Sequence, residues 1–551
     1  MIISNHKLSI LIVFALLSIV LSSCQKGDDT LPENLEENIT SKPYPTGMLR
    51  FGKKLENPYS VFNMKKAWEN INQNPENEIS SSISIAIKPT HLYLKFKPKN
   101  DQELSVLKHQ EDLDLYSYPL DYEIKEGGAY YIDPEIQEGV PTYQYAAYPI
   151  DKELPKVVEY EILEELFIPN EFQSYTIVKN GNTIDILDLL EEEALKITGN
   201  QEVNDSNIQK MNRRWTPAGR IMVWDDVVNR YVPVVDLEVK ARRWFTTRKG
   251  KTNVNGFYRA DGTFKKEANY SIAWEKYEFS IRSGTIGQAI LNGPKRKGDW
   301  NVNLGQRNST TVRDKQQYYA LIFQAARDYY YGNRFGLDSP PKNGTLNPQT
   351  KIAADITERQ NEKPSHAAIY ARTGGFLPTI YARTWERSAE RVYAVTAHEL
   401  AHYSHWNLDR NAFRLLVAQY LINNSTEAVI ESWAEGVEWS FAQERYRNLF
   451  GIANYNYNNG NQNRRLEGFT NRPNDLLYTS LVMDLIDNNN QRATNGNSLA
   501  FPLDRVSGYS IRQIEQALKG STSWNQWRNN MISLHNNATE NRVNELFGNW
   551  Y

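Results

Sequence analysis

The chain has one cysteine in 551 residues, so it cannot close an intramolecular disulfide. Histidine is almost as scarce, at eight residues, and a group of histidines in the sequence is therefore informative. No charge of one sign dominates, because 63 Lys and Arg face 66 Asp and Glu, which argues against a nucleic-acid partner. Hydrophobic residues at 40% and charged residues at 23% are typical of a folded soluble protein.

Long apolar runs are also missing, with one exception near the amino terminus. Lys7 precedes an apolar run over 8–20 that has the pattern of a secretion signal and is too short to span a bilayer. The next four residues end in Cys24 and resemble the lipobox of bacterial lipoproteins, which implies that Cys24 is lipidated. Residues 25–29 resemble the acidic export signal of Bacteroidota surface lipoproteins. We expect an outer-membrane lipoprotein facing the cell exterior; the alternative is an ordinary signal peptide with an incidental cysteine.

At 551 residues the chain is too long for one hydrophobic core, and we expect a multidomain α+β protein. The predicted order is a signal peptide over 1–23, a tether over 24–45, an α+β domain over 46–200, a β-sandwich over 213–284 and a second α+β domain over 285–551. In the first α+β domain, alternating apolar positions predict strands at Ser82–Ile87, His91–Phe96 and Asp114–Tyr118. Asn100 is the expected N-cap of a helix that runs to Leu107.

Three stretches mark the predicted β-sandwich. Gly219–Trp224 opens it, Val232–Lys240 predicts a long strand, and Thr252–Tyr258 predicts a turn leading into another strand. In this order they resemble the carboxypeptidase regulatory-like (transthyretin-like) domain. That resemblance implies a packing or spacer module without catalytic residues.

The region from 285 onward combines helices with a small sheet. A helix is predicted over Tyr318–Tyr331 and a strand over Lys351–Ile356. A duplicated pentapeptide, Ile369–Thr373 and Ile380–Thr384, flanks a turn with two glycines and predicts a β-hairpin. Further helices are predicted at Ala412–Ile422, Asp475–Asp487, Ile511–Lys519, Trp524–His535 and Glu540–Phe547. One more helix is predicted to begin after Ser425 or Thr426, with either residue as its N-cap.

The chain following this hairpin reads H-E-x-x-H, from His398 through Glu399 to His402, in an apolar and helix-forming context. Residues four apart lie on one face of a helix, so His398 and His402 can bind one Zn²⁺ together. Glu399 lies beside them, where it can take a proton from water without binding the ion. The alternative is a solvated helix that carries these residues by chance.

A catalytic zinc site needs a third protein ligand. Residues 431–435 read E-x-x-A-E and, with the H-E-x-x-H motif, resemble the gluzincin metallopeptidases. In that family a glutamate on a second helix binds the metal, and an acid follows one turn later. The resemblance implies that Glu431 is the ligand and that Glu435 accepts the outer N–H of His398. Exchanged roles for the two glutamates stay open, as does a plain salt-bridged helix face.

One residue departs from the gluzincin pattern, and three others are considered for a place beside the metal. Ser404 stands where an apolar residue is usual, and His405 is interpreted as a wall residue rather than a ligand. Tyr478 and His535 are candidates for the group that steadies a tetrahedral oxyanion. Aromatic and histidine residues at helical spacing more often pack in a core. The resemblance to zincins also implies an edge strand that pairs with extended substrate, and we expect one arm of the duplicated hairpin to be that edge.

These features predict a surface-anchored zinc metallopeptidase that acts on a protein or peptide, with Glu399 as general base and Zn²⁺ as cofactor. Cys24 would connect it to the membrane, and no nucleic acid is expected. One alternative is a non-catalytic glycan- or peptide-binding outer-membrane lipoprotein with a degenerate zincin domain. Another is an envelope scaffold with a structural zinc. Glu399 favours hydrolysis, because a structural site has no use for it.

Overall fold

The computed structural model describes residues 47–75, 77, 85–110, 112–137, 140–169, 175–179, 182–201, 214–284, 287–332, 334–344, 347–356, 368–370, 379–420, 424–457, 478–499 and 501–551. The predicted signal peptide, Cys24 and the tether lie outside these residues. Within them the chain is a mixture of α-helices and several β-sheets, as expected for an α+β protein.

The α-helices are α1 Val61–Gln73, α2 Asp101–Lys108, α3 Ile186–Ile197, α4 Lys315–Tyr331, α5 Ala389–Leu408, α6 Arg410–Tyr420, α7 Asn424–Gln443, α8 Leu481–Ile486, α9 Gln491–Thr494, α10 Ile511–Leu518, α11 Trp524–Leu534 and α12 Val543–Gly548. A π-helical turn follows α7 at Glu444–Leu449, and 3₁₀ turns lie at Arg334–Gly336 and Glu540–Arg542. Among the described helices, none combines the length and the apolar content needed to cross a bilayer.

The strands are β1 Arg50–Lys54, β2 His91–Phe96, β3 Tyr122–Glu126, β4 Gln144–Pro149, β5 Tyr160–Leu166, β6 Thr176–Lys179, β7 Asn182–Asp185, β8 Ala218–Asp225, β9 Arg230–Pro233, β10 Glu238–Arg243, β11 Thr246–Lys251, β12 Phe257–Arg259, β13 Ala268–Ala273, β14 Phe279–Ser283, β15 Gly287–Gln288, β16 Ile290–Arg296, β17 Val302–Leu304, β18 Thr350–Ala354, β19 Ala368–Tyr370 and β20 Ile380–Ala382.

In the amino-terminal region, the structure confirms the strand predicted over His91–Phe96 and the helix predicted after Asn100. Strand β2 forms the centre of an antiparallel sheet of order β4-β2-β5, and the Asn100 side chain accepts a hydrogen bond from Glu103 N at the start of α2. The prediction of a strand at Asp114–Tyr118 is wrong. Tyr116 makes one isolated β-bridge to Tyr145, and its ring is buried in the core. The alternation of apolar residues over Asp114–Tyr118 therefore reflects burial of side chains and not a continuous run of strand hydrogen bonds.

The predicted sandwich region forms two sheets. One has the order β11-β10-β13-β16, and the other has the order β12-β8-β17 with β9 also paired to β8. The single strand predicted over Val232–Lys240 is wrong, because the chain turns at Asp236 (φ 61°) and passes from β9 in one sheet to β10 in the other. The turn predicted before Tyr258 is confirmed, with Gly256 at φ 78°.

A five-stranded sheet of order β15-β14-β18-β20-β19 supports the histidine-bearing helix. Strands β14, β18 and β20 are parallel, while β19 pairs antiparallel with β20 through Ile369 opposite Tyr381. The pairing predicted for the two arms of the hairpin is therefore confirmed, while its turn lies outside the described residues. Among the described strands, the first arm lies at the edge of this sheet. Strand β14, from the end of the predicted sandwich, belongs to the same sheet.

Helix α4 confirms the long helix predicted over Tyr318–Tyr331. It begins at Lys315 because the Asp314 side chain accepts a hydrogen bond from Gln317 N at 2.8 Å, and it ends before Gly332. Helices α4 and α5 pack on the five-stranded sheet, and α7 packs against α5. Their apolar side chains belong to one hydrophobic core that reaches from Ile221 in the sandwich to Trp550 near the carboxyl end.

The carboxyl-terminal helices largely follow their predicted positions. Helices α10, α11 and α12 match three of them, with a 3₁₀ turn before α12. Helix α8 covers only the second half of the helix predicted over Asp475–Asp487, since residues 478–480 are described and not helical, and residues 475–477 lie outside the described residues. The prediction of Ser425 or Thr426 as an N-cap is wrong, because both residues lie inside α7, which already includes Asn424.

Helices α7 and α8 approach each other closely at Gly436. A Cβ at this position would lie well inside the van der Waals radius of Val482 Cγ1. We expect Gly436→Ala to lower the free energy of unfolding by about 1–3 kcal/mol, because the two helices must separate to admit the methyl group. The matched control is Gly548→Ala, where a Cβ meets nothing within 4 Å. Urea denaturation should show a change of less than about 1 kcal/mol for that control, and equal destabilisation of both variants would contradict the close contact.

Candidate metal centre

Helix α5 presents two histidines at the centre of the fold. Ser388 caps the helix by accepting a hydrogen bond from Arg391 N at 3.3 Å, and Asp226 of the sandwich accepts one from Ala389 N at 2.7 Å. The helix is buried almost all around, because every residue from Val392 to Trp406 is buried. Its position is thus fixed by the sandwich at one end and by neighbouring helices along its length.

The two histidines lie as the H-E-x-x-H spacing predicts. His398 and His402 are each 6% exposed, and their Nε2 atoms are 3.1 Å apart with the rings nearly perpendicular at 85°. Two imidazole nitrogens that share one tetrahedral zinc at about 2.0–2.1 Å are about 3.3 Å apart, so the pair has the separation of two zinc ligands.

Helix α7 supplies the third donor. Glu431 Oε2 lies 3.3 Å from His398 Nε2 and 3.6 Å from His402 Nε2, which closes a triangle of three donor atoms. Two other groups of buried donors lie within 4.8 Å, namely His398 with Glu399 and His402, and His398 with Glu435 and Glu438. The triangle with Glu431 fits one ion best, because it uses both Nε2 atoms and leaves Nδ1 of His398 for a separate partner. It joins the side chains assigned as ligands in the sequence analysis.

The partner of His398 Nδ1 differs from the prediction. Glu438 Oε2 lies 3.0 Å from this nitrogen, whereas Glu435 Oε2 lies 3.9 Å from it. Glu438 Oε1 also accepts a hydrogen bond from Arg391 at 2.6 Å and one from the Tyr457 hydroxyl. Glu438, and not Glu435, is therefore the carboxylate nearest to Nδ1 of His398. It stands seven residues after Glu431, two turns along one face of α7, and helical spacing alone does not choose between it and Glu435.

Glu438→Gln should weaken metal binding by about 10- to 100-fold, because outer partners orient a ligating imidazole and raise its basicity. Competition with a chromogenic chelator measures this directly. Glu545→Gln, which changes a glutamate that pairs with Arg505 at the surface of α12, is the control and should leave the affinity unchanged. An unaltered affinity in Glu438→Gln would show that this carboxylate does not orient His398.

The pKa values of two carboxylates beside the histidines, Glu399 and Glu431, shift in opposite directions. Burial raises the pKa of Glu399, whose Oε2 is buried without a hydrogen-bond partner among the described residues. Burial would also raise the pKa of Glu431, but His402 and His398 outweigh it and hold that pKa well below its usual range. A carboxylate kept ionised is suited to bind a cation, and one with a raised pKa is suited to accept and return a proton near neutral pH.

The affinity for metal should depend on pH through His398. Burial lowers the pKa of His398, but Glu431 and Glu438 more than reverse this and raise it well above 6.5. A proton held by His398 competes with a metal ion, which must displace it to bind. We expect the association constant for zinc to rise with pH by up to about tenfold per unit while pH stays below that pKa. Titrations at several pH values, corrected for the buffer, check this; a constant affinity from pH 6 to pH 8 would contradict it.

Tyr478 lies beside the histidines, but His535 does not. The rings of Tyr478 and His398 are 6.4 Å apart. The charge of Glu431 and then burial raise the pKa of Tyr478 well above 10, so its phenol keeps a proton to donate. His535 caps the carboxyl end of α11, and within the described part of the chain no hydrogen bond or ring contact joins it to the paired histidines.

Ser404, which departs from the gluzincin pattern, and His405, interpreted as a wall residue, both have structural explanations. The Ser404 hydroxyl is buried and donates a hydrogen bond to the Asp338 carbonyl at 2.7 Å, which satisfies it inside the core. His405 packs edge-on against Phe413 of α6 with ring centroids 4.9 Å apart. Burial lowers the pKa of His405 to about 3, so the ring is neutral.

Comparison of the chain with protein-family models, with curated proteins and with solved structures gave no match.

Proposed function

We propose that the protein is a zinc-dependent peptidase that hydrolyses peptide bonds. One observation carries the proposal: three donor atoms from His398, His402 and Glu431 form a triangle with sides of 3.1, 3.3 and 3.6 Å, beside the buried carboxylate of Glu399. Two imidazoles and one carboxylate are the donor set of a catalytic zinc ion, which keeps a fourth position open.

The chain's own residues supply the remaining groups for hydrolysis. A zinc ion bound there would act as a Lewis acid that makes water more acidic and polarises a carbonyl group. Glu399 would take the proton of the attacking water and pass it to the leaving amine, a role that its raised pKa favours. Tyr478 would donate its phenolic hydrogen to the oxygen that becomes negative in the transition state. Glu438 would hold His398 in orientation through Nδ1.

The substrate is proposed to be an extended peptide segment of a protein. Support comes from β19, an edge strand of the five-stranded sheet that lies antiparallel to β20. An edge strand offers unpaired backbone groups to which an extended chain can add as a further strand. The proposal includes attachment to the outer membrane through a lipidated Cys24, based on the resemblance of residues 21–24 to a lipobox.

The proposal is tested by metal analysis of the purified chain followed by digestion of a peptide library. We expect one zinc per chain, cleavage of a defined set of peptides, and loss of cleavage with a chelator that is reversed by added zinc. Stoichiometric zinc without cleavage, together with saturable binding of peptides or glycans, would instead favour the non-catalytic binding lipoprotein. A chain that takes up no zinc would refute the proposed zinc-dependent peptidase.

A further inference from the structure

Glu438, the carboxylate beside His398, is itself held by two donors from different parts of the chain. Its Oε1 atom accepts a hydrogen bond from Arg391 Nη1 at 2.6 Å and another from the Tyr457 hydroxyl. Arg391 Nη1 also donates to the Tyr457 hydroxyl at 3.0 Å, so the three groups form a closed triangle. Both donors act on one oxygen of Glu438, which leaves Oε2 for Nδ1 of His398 at 3.0 Å. The contacts therefore run from Arg391 and Tyr457 through Glu438 to an imidazole of the metal centre.

The carboxylate in this triangle is buried. Glu438 is 1% exposed and Tyr457 is 2% exposed. Protein donors must take the place of water around such a carboxylate, because a buried charge without partners costs free energy. Arg391 supplies the opposite charge. Burial first and the charge of Glu438 second raise the pKa of Tyr457 well above 10, so its hydroxyl keeps the proton that it donates.

Both donors reach Glu438 from elements that are fixed by packing. Arg391 lies on α5 seven residues before His398, two turns away on the same face of the helix. Tyr457 follows the π-helical turn after α7 and belongs to a small hydrophobic cluster that includes side chains of α5 and α7. The other fully buried members of that cluster are Ala394, Ala442 and Tyr446. The direction of the Glu438 carboxylate is therefore set by groups outside the helix that carries it.

We propose that Arg391 and Tyr457 are positioning residues of the metal centre, which hold the Glu438 carboxylate toward Nδ1 of His398 and so direct Nε2 of that imidazole to the ion. This inference rests on the proposed function through its zinc site. In a neutral imidazole one nitrogen carries the hydrogen and the other can bind a metal ion. A carboxylate fixed at Nδ1 selects the tautomer that leaves Nε2 for zinc. Neither positioning residue belongs to the proposed ligand set, and both act through Glu438.

The zinc affinity of the full chain, measured by competition with a chromogenic chelator, tests this proposal. Tyr457→Phe removes only the hydroxyl and should weaken zinc binding by about 3- to 10-fold, less than the loss expected for the carboxylate that contacts the ligand. Arg391→Gln should weaken it by about tenfold, and Arg391→Lys, which keeps the positive charge, should restore part of that loss. Tyr148→Phe is the matched control. It removes another buried hydroxyl, which donates to the Glu153 carbonyl at 3.0 Å, and should leave the zinc affinity unchanged.

A double-variant comparison separates positioning from a general loss of stability. If Tyr457 acts through Glu438, Tyr457→Phe should weaken zinc binding in the wild-type chain and change it by less than about twofold when Glu438→Gln is already present. An equal loss in both backgrounds overturns the proposal, because the hydroxyl would then act by another route. Unchanged affinity in Tyr457→Phe also overturns it. This comparison needs no arginine variant, so it decides the question even if Arg391→Gln does not fold.

Failure of this proposal and failure of the proposed function are distinguishable, because zinc affinity is measured without a substrate. Zinc binding that responds to these variants as expected, in a chain that cleaves no peptide, supports the positioning role and refutes the peptidase. Peptide cleavage with a zinc affinity that none of these variants alters supports the peptidase and overturns the positioning role.

Discussion

Glu399→Gln should bind zinc as tightly as the wild type and cleave peptides about 10²–10⁴ times more slowly. The side chain is 4% exposed and lies among the donor atoms of His398 and His402. An amide has the same shape as the carboxylate but cannot take a proton from water. Zinc content and kcat/KM on a cleaved peptide, measured on one preparation, separate loss of chemistry from loss of metal.

Glu153→Gln is the control for this experiment. It makes the same chemical change on a side chain that is 78% exposed, and it should alter neither zinc content nor kcat/KM. Unchanged kcat/KM in Glu399→Gln, with a full zinc content, would eliminate Glu399 as the general base and with it the proposed mechanism.

Glu431→Gln should lower zinc affinity by more than about 100-fold, beyond the 10- to 100-fold typical of residues outside the ligand set. The reason is geometric: among the described residues, only Glu431 brings a carboxylate oxygen within 3.6 Å of both Nε2 atoms. Activity should fall in parallel at limiting zinc.

Glu435→Gln is the matched comparison, since Glu435 lies one turn further along α7 and 3.9 Å from Nδ1 of His398. Its zinc affinity should drop far less than that of Glu431→Gln. The opposite order of affinities would show that the two glutamates exchange roles, which is the alternative left open by the sequence. Chelator competition on both variants at one pH decides between them.

Helical periodicity is sufficient to predict how the two histidines of the candidate metal centre lie relative to each other. A spacing of four residues places His398 and His402 on one face of α5 whatever the rest of the fold does. The apolar sequence around them predicts a buried helix, and α5 is buried almost all around. Glu431 could be placed only through the gluzincin resemblance, because its approach to the histidines depends on how α7 packs against α5.

The orienting carboxylate could not be predicted in the same way. Glu435 and Glu438 lie on neighbouring positions of one helical face, and the choice between them depends on the rotation of α7 and on Arg391 and Tyr457, which both bind Glu438. Tertiary contacts of this kind leave no local signal. The same limit explains the strand wrongly predicted over Val232–Lys240, where the turn at Asp236 moves the chain between two sheets.

X-ray absorption at the zinc edge on the zinc-loaded chain reports the donor atoms of the proposed site. We expect one zinc per chain with two imidazole nitrogens, from His398 and His402, and oxygen donors from Glu431 and solvent, at about 2.0–2.2 Å. A zinc shell made of four protein donors, or a chain that takes up no stoichiometric zinc, would contradict it.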